Sequence, residues 1–377
     1  MARANLLIVA DSERNADMLY AARTFVSDPF IWFTRRGQPY ILVHDMELDR
    51  VRREARHCRV LPYSRFERRL ARENGGSPPA LSDVLAAVLR EHRIRKVTVS
   101  ECFPLGLARA LRNAGTKVKL RDGPFFPERA VKSADEVKKI SAALVMAEVG
   151  MAEGIHALQR SRPGKGKRLQ LHQAPLTAER LRAIIDTAIL QAGGQPNRTI
   201  VAGGRQGADP HARGTGPLVA DQPVVIDIFP RSQRTGYHGD VTRTVVRGRA
   251  TEFVRRMFAA VSQAQDAALD RLRHGADAGS VHEAAEQAFR HHGFPTSRRK
   301  GRLAGFYHGT GHGIGLAVHE APRLGPRSPD TLLAGQVVAV EPGLYNPGIG
   351  GVRLEDVVLV TRQDPRNLTE FEKRLEI

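Results

Sequence analysis

A chain of 377 residues is longer than one domain usually is, so we expect two domains and a sizeable core. Its 58 lysines and arginines against 40 acidic residues give a net charge of +18, which attracts acidic ligands, but the basic residues are scattered in short clusters that favour solvated faces over a nucleic-acid surface. The two cysteines, Cys58 and Cys102, exclude a disulfide framework and a cysteine zinc site. No apolar stretch reaches the about 18 residues of a membrane span, so we expect a soluble, cytoplasmic protein.

The first third of the chain alternates strand-like and helical patterns. Five short apolar runs predict strands: "LLIVA", "FIWFT", "YILVH", "KVTVS" and "KVKL". Helical patterns stand between them, among them "LSDVLAAVLREHRI" and "PLGLARALRNAG". Strands that alternate with helices are typical of an α/β domain, which we expect over residues 1–130.

A second domain, expected over residues 131–377, begins with a helix. Ser133 suits the N-cap position, and Glu136 follows three residues later, as in a capping box. The basic segment "RSRPGKGKRLQLHQAP" predicts a surface loop, and "LTAERLRAIIDTAILQAGG" predicts a second helix. The runs "PVVIDIFP" and "GDVTRTVVRG" then predict a hairpin. Two further helices precede a histidine-rich segment, and "QVVAVEPGLY" and "GGVRLEDVVLVT" predict closing strands.

Four carboxylates interrupt the apolar runs of the second half. They are Asp227 in "VVIDIF", Asp240 ahead of "VTRTVV", Glu341 in "VVAVEP" and Glu355 in "VRLEDVV". Because a carboxylate buried alone is costly, each needs a positively charged partner. Ion pairs with Arg243, Arg247 and Arg353 are one explanation, and a bound metal is the other.

The segment "HGTGHGIGLAVHE", residues 308–320, contains three histidines and four glycines. Tight turns alone would explain the glycines. Together with the four carboxylates, however, the histidines favour a metal site. Two Asp, two Glu and one His exceed the three protein ligands of a typical catalytic zinc. A pair of divalent cations that share carboxylates fits better, and manganese, cobalt, iron and zinc are all admissible by ligand type.

The second domain resembles the pita-bread metallopeptidases, which include methionine aminopeptidases, proline-specific aminopeptidases and prolidases. The similarity runs from about Ser133 to the end and rests on "ADPH", "VVIDIF…GDVTRT", "HGTGHGIGLAVHE", "VEPGLY" and "GGVRLED", in that order. It implies an α+β pita-bread catalytic domain. By the order of its elements, the first domain resembles the α/β domain that precedes the catalytic domain in creatinase, prolidase and the proline-specific aminopeptidases.

The resemblance implies a dinuclear metal centre, with manganese expected first and cobalt, zinc or iron as alternatives. The implied ligands are Asp227, Asp240, His312, Glu341 and Glu355. Arg353 stands two residues before Glu355, so we expect it on the same strand face, where it would orient that carboxylate.

The implied chemistry is hydrolysis by a water or hydroxide held between the two ions, acidic enough to attack near neutral pH. The resemblance makes Glu341 the general base, His319 a hydrogen-bond partner of the oxyanion or a proton shuttle, and His211 a contact near the scissile nitrogen. His308 would line the pocket for the residue after the cut. Alone, His211 would more often be a loop residue, and only its place in the motif order reverses this. We expect His238 to be structural or exposed.

Three departures from the family pattern concern the pocket. Phe229 stands where the family has Gly, about two extra residues separate Asp227 from Asp240, and "GGRQGADPH" lacks the Asn common before the substrate histidine. We expect these changes to affect specificity more than metal binding.

The implied activity is removal of an N-terminal residue that precedes proline, or cleavage of an Xaa-Pro dipeptide. The Xaa-Pro bond has no N–H to donate, so a dedicated pocket is expected. Simple methionine aminopeptidases lack the first domain, which argues against that activity. Two other functions stay open: a non-catalytic pita-bread module that binds protein or nucleic acid, and hydrolysis of a small carbon–nitrogen substrate on the creatinase pattern. The expected partner is a peptide with proline in second position, without a membrane or a specific nucleic acid; a homodimer stays open.

Overall fold

The computed structural model of the chain describes residues 4–299 and 301–377. The chain divides into two compact units, Met1–Arg129 and Ala130–Ile377. Each unit has its own apolar core: among the described residues, two buried clusters lie in the first unit and a larger one lies in the second.

The first unit is a sheet with helices. Its strands are β1 (Leu7–Ala10), β2 (Phe30–Arg35), β3 (Gln38–Val43), β4 (Arg59–Pro62), β5 (Lys96–Val99) and β6 (Lys117–Leu120). Its helices are α1 (Ala16–Ala22), α2 (Asp45–Glu54), α3 (Tyr63–Glu73), α4 (Leu81–Glu91) and α5 (Leu105–Asn113). β1, β2 and β3 pair antiparallel, whereas β3 with β4 and β5 with β6 pair in parallel. A parallel bridge between Leu6 and Thr98 joins the two groups of strands.

Alternate residues of the central strands face different apolar clusters. Phe33 and Leu42 pack with residues of α3, α4 and α5, whereas Trp32 and Ile41 pack with residues of α1 and α2. Successive side chains of a strand point to opposite faces, so β2 and β3 are covered on both sides. This explains why their sequences are continuous apolar runs, and it is the layering expected of an α/β domain.

Two helix pairs form the scaffold of the second unit. They are α6 (Ala134–Arg160) with α7 (Ala178–Gln191), and α8 (Glu252–Leu269) with α9 (Ala278–His291). α6 begins at the predicted capping box: Ser133 Oγ accepts from the Glu136 N–H at 3.3 Å, and Glu136 Oε2 accepts from the Ser133 N–H at 2.9 Å. A Cβ added at Gly150 would lie 2.8 Å from Ile189 Cγ1, so glycine permits the close approach of α6 and α7.

By length and composition, α6 also meets the criteria for a membrane span. Its buried positions, among them Ile140, Leu144 and Met151, pack inside the second unit. A core helix of a soluble protein passes the same test, so this finding is weak evidence for a membrane.

The strands of the second unit are mostly short. They are β7 (Arg162–Pro163), β8 (Leu169–Leu171), β9 (Ala174–Pro175), β10 (Gly194–Gln195), β11 (Ile200–Gly203), β12 (Pro223–Ile228), β13 (Arg231–Ser232), β14 (Val241–Val246), β15 (Ser297–Arg299), β16 (Arg302–Ala304), β17 (Gly311–Gly313), β18 (Glu320–Leu324), β19 (Val337–Val340), β20 (Gly343–Asn346), β21 (Gly350–Arg353), β22 (Asp356–Leu359) and β23 (Arg366–Asn367).

Two antiparallel sheets of this unit carry the candidate site. One has the order β11–β12–β14, so the predicted hairpin of β12 and β14 is present. The other has the order β18–β17–β19–β22–β23, and its apolar residues share one buried cluster with those of α8 and α9. A bridge between Thr242 and Glu355 connects β14 to the residue just before β22. This bridge brings the carboxylate-bearing strands of both sheets together.

The predicted surface loop over residues 160–175 is wrong in part. The segment contains β7, β8 and β9, which pair antiparallel as a small sheet. Leu169 and Leu171 are buried, with the exposed Gln170 between them. The alternation in "LQL" was the strand signal, and the surrounding basic residues obscured it.

Candidate metal centre

Asp227 and Asp240 lie on one face of the β12–β14 hairpin. Asp227 is within β12 and pairs with Thr242 of β14, and Asp240 directly precedes β14. Because side chains alternate along a strand, Asp240 shares the face of Thr242, two residues later, and therefore that of Asp227. The longer turn of this hairpin leaves this pairing intact.

The other three donors come from the five-stranded sheet: His312 lies within β17, Glu341 directly follows β19, and Glu355 directly precedes β22. His312 is the central residue of β17 and pairs with Ala339 of β19, so Glu341, two residues beyond Ala339, shares its face. Val340 pairs with Asp356 of β22, and continuing this register by one residue brings Glu341 beside Glu355. The sheet register thus aligns all three side chains.

The two groups of side chains meet in one cavity of about 1100 Å³. Donor atoms of Asp240, His312 and Glu355 all lie within 4.8 Å of one another. His312 Nε2 is 4.0 Å from Asp240 Oδ2 and 3.6 Å from Glu341 Oε1. Asp227 lines the same cavity, so the structure brings all five predicted ligands together.

Burial and mutual repulsion raise the pKa values of Asp240, Glu341 and Glu355. Burial raises the pKa of Asp240 well above its usual range, and the charges of Glu355, Asp227 and Glu341 raise it further. The pKa of Glu355 is raised by burial first and by Glu341 and Asp227 next. Burial also raises the pKa of Glu341 to about 7, although the charge of Arg353 opposes this. Asp240, Glu341 and Glu355 therefore need additional positive charge nearby to be ionised together.

His312 presents one ring nitrogen to these carboxylates. Its Nδ1 lies 3.2 Å from the carbonyl oxygen of Gly313, so Nδ1–H donates to the backbone and Nε2 is left as an acceptor. Burial lowers the pKa of His312 to about 4, which keeps the ring neutral. A neutral imidazole whose second nitrogen donates to a backbone carbonyl is the usual form of a histidine metal ligand.

Two carboxylate oxygens of the cluster have no hydrogen-bond partner among the described residues. They are Asp227 Oδ1 and Asp240 Oδ1, both buried. Buried polar atoms are nearly always satisfied, so each needs a partner such as a cation. Four carboxylates and one imidazole are a donor set that suits divalent cations, and the residues present fit that group.

Arg243 and Arg247 do not neutralise the cluster. Arg243 Nη2 lies 2.8 Å from Asp356 Oδ1, and its other N–H groups donate to backbone carbonyls. Arg247 donates to the carbonyl oxygen of Ser161. Within the described part of the chain, neither arginine forms an ion pair with any of the four carboxylates.

Arg353 reaches Asp227 instead of Glu355, its expected partner. Its Nη2 is 2.7 Å from Asp227 Oδ2, and its Nε is 4.0 Å from Glu341 Oε2. Arg353 and Glu355 both line the cavity, as the expected shared face requires, but the closest carboxylate to Arg353 is that of Asp227. The hydroxyl of Thr242 donates to Glu355 Oε2 at 2.7 Å.

Sequence reasoning therefore missed Thr242 and Tyr345. Thr242 stands two residues after Asp240 in "GDVTRT", so its position on the carboxylate face could have been noted. Tyr345 accepts from Arg353 Nη1 at 2.9 Å, and its hydroxyl lies 2.9 Å from His308 Nε2. Nothing in the sequence indicated this second contact, which joins residues 37 positions apart.

The three predicted substrate histidines line the same cavity. His308 is fully engaged: Nδ1 lies 2.8 Å from the Gly309 carbonyl oxygen, and Nε2 faces Tyr345. His319 and His211 are exposed, and the His319 ring is 4.3 Å from that of His312, at 79°. The latter two therefore present polar ring atoms to the cavity.

Two further positions bear on the sequence predictions. His238, expected to be structural or exposed, is buried, with 7% of its surface accessible, and does not line the cavity. Burial lowers its pKa to about 4. Phe229, in place of the family glycine, lines the cavity and so reduces its polarity.

Comparisons with known proteins agree with this geometry. A family model described as metallopeptidase family M24 matches residues 138–362. An Xaa-Pro dipeptidase from Pyrococcus horikoshii is 28% identical over 287 residues, which are 75% of this chain and 75% of that protein. The solved X-Pro aminopeptidase from Thermotoga maritima has a TM-score of 0.82 at 23% identity, covering 99% of this chain and 97% of the other. The prolidase from Pyrococcus furiosus has a TM-score of 0.78 at 22% identity, covering 98% and 97%.

These likenesses extend over both units of the chain and confirm the predicted fold class, an α/β unit followed by a pita-bread unit. The family and the buried cluster of donors both support the use of divalent metal. Because the family model covers more than half of its length, the chain belongs to metallopeptidase family M24.

Proposed function

We propose that the protein is a dinuclear metallopeptidase that hydrolyses the bond between an N-terminal residue and proline. The observation that carries this proposal is the convergence of four carboxylates and one neutral imidazole in a cavity, with two buried carboxylate oxygens unpartnered in the described structure. The proline specificity is supported by the relatives, which are named Xaa-Pro dipeptidase, prolidase and X-Pro aminopeptidase.

We assign two divalent ions, manganese first, to the cluster. The proposed ligands are Asp227, Asp240, His312, Glu341 and Glu355. When bound, such ions polarise a carbonyl and acidify a water molecule. The alternatives of cobalt, zinc and iron have the same ligand preferences and are distinguished by measurement.

Glu341 is the proposed general base. It is the most exposed carboxylate of the cluster, with 22% of its side chain accessible, so it can reach a water molecule in the cavity. A carboxylate near neutral pKa can accept the proton of the attacking water at one oxygen and pass it to the leaving nitrogen of proline. This transfer matters for an Xaa-Pro bond, because the imide nitrogen has no hydrogen of its own.

The histidines have different proposed tasks. His319 and His211, exposed in the cavity, hydrogen-bond the substrate carbonyl and the region of the scissile nitrogen. His308 is held by Tyr345 and Gly309, so it forms a fixed wall for the residue after the cut. Its Nε2 accepts from the Tyr345 hydroxyl, which leaves no free ring nitrogen for proton transfer.

The decisive experiment measures metal content and cleavage together. Chelator-treated protein is reloaded with manganese, its metal content is determined by mass spectrometry, and cleavage of an Xaa-Pro dipeptide is compared with that of a longer Xaa-Pro peptide. We expect two ions per chain and proline-dependent cleavage. Cleavage of the dipeptide alone identifies a dipeptidase, and cleavage of the longer peptide identifies an aminopeptidase.

Asp240→Ala is the test variant, and Asp266→Ala, at an exposed position of α8, is its control. Asp240→Ala should bind fewer ions and lose activity, whereas Asp266→Ala should match the wild type. Full activity of Asp240→Ala would contradict the assignment. Cleavage of neither peptide, with salt-sensitive nucleic-acid binding, would favour a binding module.

We also propose that residues 1–130 are a creatinase-like N-terminal domain and that residues 131–377 are the catalytic domain. A cytoplasmic location is supported by the two free cysteines, Cys58 and Cys102, since disulfides are rare in reducing compartments. Limited proteolysis tests the boundary: cleavage near residue 130 should leave a metal-binding C-terminal fragment.

A further inference from the structure

A buried glutamine of α8 contacts the backbone beside both glutamates of the site. Gln265 has 0% of its surface accessible. Its Nε2 lies 2.9 Å from the carbonyl oxygen of Val340 and 3.4 Å from that of Leu354. These two residues directly precede Glu341 and Glu355. One side-chain amide thus joins two backbone segments that carry proposed metal ligands.

The contacts of Gln265 fix the orientation of two peptide planes. The Val340 carbonyl and the Glu341 N–H belong to one planar peptide group. Gln265 binds this group at its carbonyl, and the Thr310 carbonyl accepts its N–H at 2.7 Å.

The peptide group between Leu354 and Glu355 is held in the same way. Gln265 contacts its carbonyl, and its N–H donates to the Thr242 carbonyl at 3.1 Å. A peptide plane held at both ends sets the direction in which the next side chain leaves the backbone. Both glutamates are held in this manner, and Gln265 is the partner that they share.

The protein keeps this amide although it is costly. Gln265 Oε1 has no hydrogen-bond partner among the described residues, and an unsatisfied buried carbonyl is unfavourable. The neighbours Val261, Ala264 and Ala268 on α8 belong to an apolar cluster. At this position, burial of a methionine or leucine side chain would cost less free energy than burial of the amide. The contribution of Gln265 to the structure therefore comes from the hydrogen bonds that its N–H donors form with the two carbonyls.

We propose that Gln265 is a positioning residue of the metal centre, which sets the separation between the carboxylates of Glu341 and Glu355. The two like charges repel each other, so their backbone must be held for both to face the same ions. This inference rests on the proposed function, because it assumes that both glutamates bind metal.

The test compares two substitutions with a matched control. Gln265→Met has nearly the same shape but no donor, and Gln265→Asn keeps the amide but is too short to contact both carbonyls. Gln263→Met replaces an exposed glutamine two residues earlier on the same helix. Manganese binding to the metal-free proteins is measured by titration calorimetry, and thermal unfolding of the metal-free proteins is measured in parallel.

We expect both Gln265 variants to bind at least one ion about 10- to 100-fold more weakly than the wild type, the usual effect of losing a group that orients a ligand. Gln263→Met should bind like the wild type. Metal-free Gln265→Met should unfold at a lower temperature than the wild type, because two buried carbonyls lose a donor. The loss of metal affinity is the deciding result, since a purely structural glutamine would lower the unfolding temperature without changing that affinity.

Each outcome decides the inference. Wild-type affinity in both Gln265 variants would overturn it while leaving the proposed function intact. Failure of both variants to fold would also overturn the inference, because the amide would then be required for folding of the core and not for positioning of the metal ligands. A wild-type protein that binds no manganese would instead contradict the proposed function, before any variant is compared.

Discussion

Arg353→Met is expected to destabilise the metal-free protein strongly. The Arg353 side chain is buried, with 3% of its surface accessible, and its Nη2 lies 2.7 Å from Asp227 Oδ2. Its Nη1 also donates to the hydroxyl of Tyr345 at 2.9 Å. Methionine keeps much of the volume but neither the charge nor the donors, so the Asp227 carboxylate would stay buried without its closest cation.

The magnitude follows from these contacts. Removing one partner of a buried ion pair costs about 3–5 kcal/mol, because the remaining charge is uncompensated. The lost hydrogen bond to Tyr345 adds about 1 kcal/mol. We therefore expect a loss of at least about 4 kcal/mol in the free energy of unfolding. Arg353→Lys should lose less, since the ammonium keeps the charge but cannot form the forked contacts.

Urea unfolding of the chelator-treated proteins at pH 7 measures this loss. Far-UV circular dichroism follows the whole chain, and fluorescence of Trp32, the single tryptophan, follows the first unit. Arg255→Met is the control, because Arg255 pairs with Glu376 at the surface and such pairs contribute less than about 1 kcal/mol. A loss below about 1 kcal/mol for Arg353→Met would refute the reasoning.

Three further predictions test other parts of the second unit. Thr242→Val removes the hydrogen bond to Glu355 at nearly constant shape, so calorimetry should show manganese affinity about 10- to 100-fold lower, and unchanged affinity would contradict this role. Burial lowers the pKa of His238 to about 4, so below its usual pKa of about 6.5 the unfolded chain takes up a proton that the folded chain does not. As pH falls from about 6.5 to about 4, the free energy of unfolding of the wild type should fall by about 3 kcal/mol more than that of His238→Gln, as measured by urea unfolding. The same dependence of this free energy on pH in both proteins would contradict the prediction. A Cβ at Gly311 would lie 1.9 Å from the Ala339 carbonyl oxygen, so Gly311→Ala should separate β17 from β19. We expect the free energy of unfolding to fall by more than about 3 kcal/mol, and an unchanged melting temperature would contradict this.

Local patterns were reliable where a residue's environment depends on its neighbours in the chain. The capping box of Ser133 and Glu136 starts α6 as expected, because both partners lie within one helical turn. The paired strands β12 and β14 also follow from apolar runs on either side of a polar turn. The loop prediction over residues 160–175 failed because two leucines buried beside one exposed glutamine are a weak signal among basic residues.

The sequence did not predict which arginine pairs with which buried carboxylate. Three arginines stood near the four carboxylates in the sequence, and within the part of the chain that the structure describes only Arg353 forms an ion pair with any of these four. Arg243 pairs with Asp356, which is not one of the four carboxylates for which the three arginines were considered. Side chains this long can reach several groups, so spacing along the chain does not select among them.

From its order of residues alone, this chain determined the alternating elements of the first unit, the helix starts, the hairpin and the five donor residues to be examined. Only the tertiary structure decided that these donors share one cavity and that Arg353, Thr242, Tyr345 and Gln265 hold them. The physical reason is distance in the chain. Strand and helix periodicities arise from neighbouring residues. The contacts of Arg353 with Asp227, of Thr242 with Glu355 and of Gln265 with Val340 join residues 75 to 126 positions apart, so they depend on the packing of the whole unit.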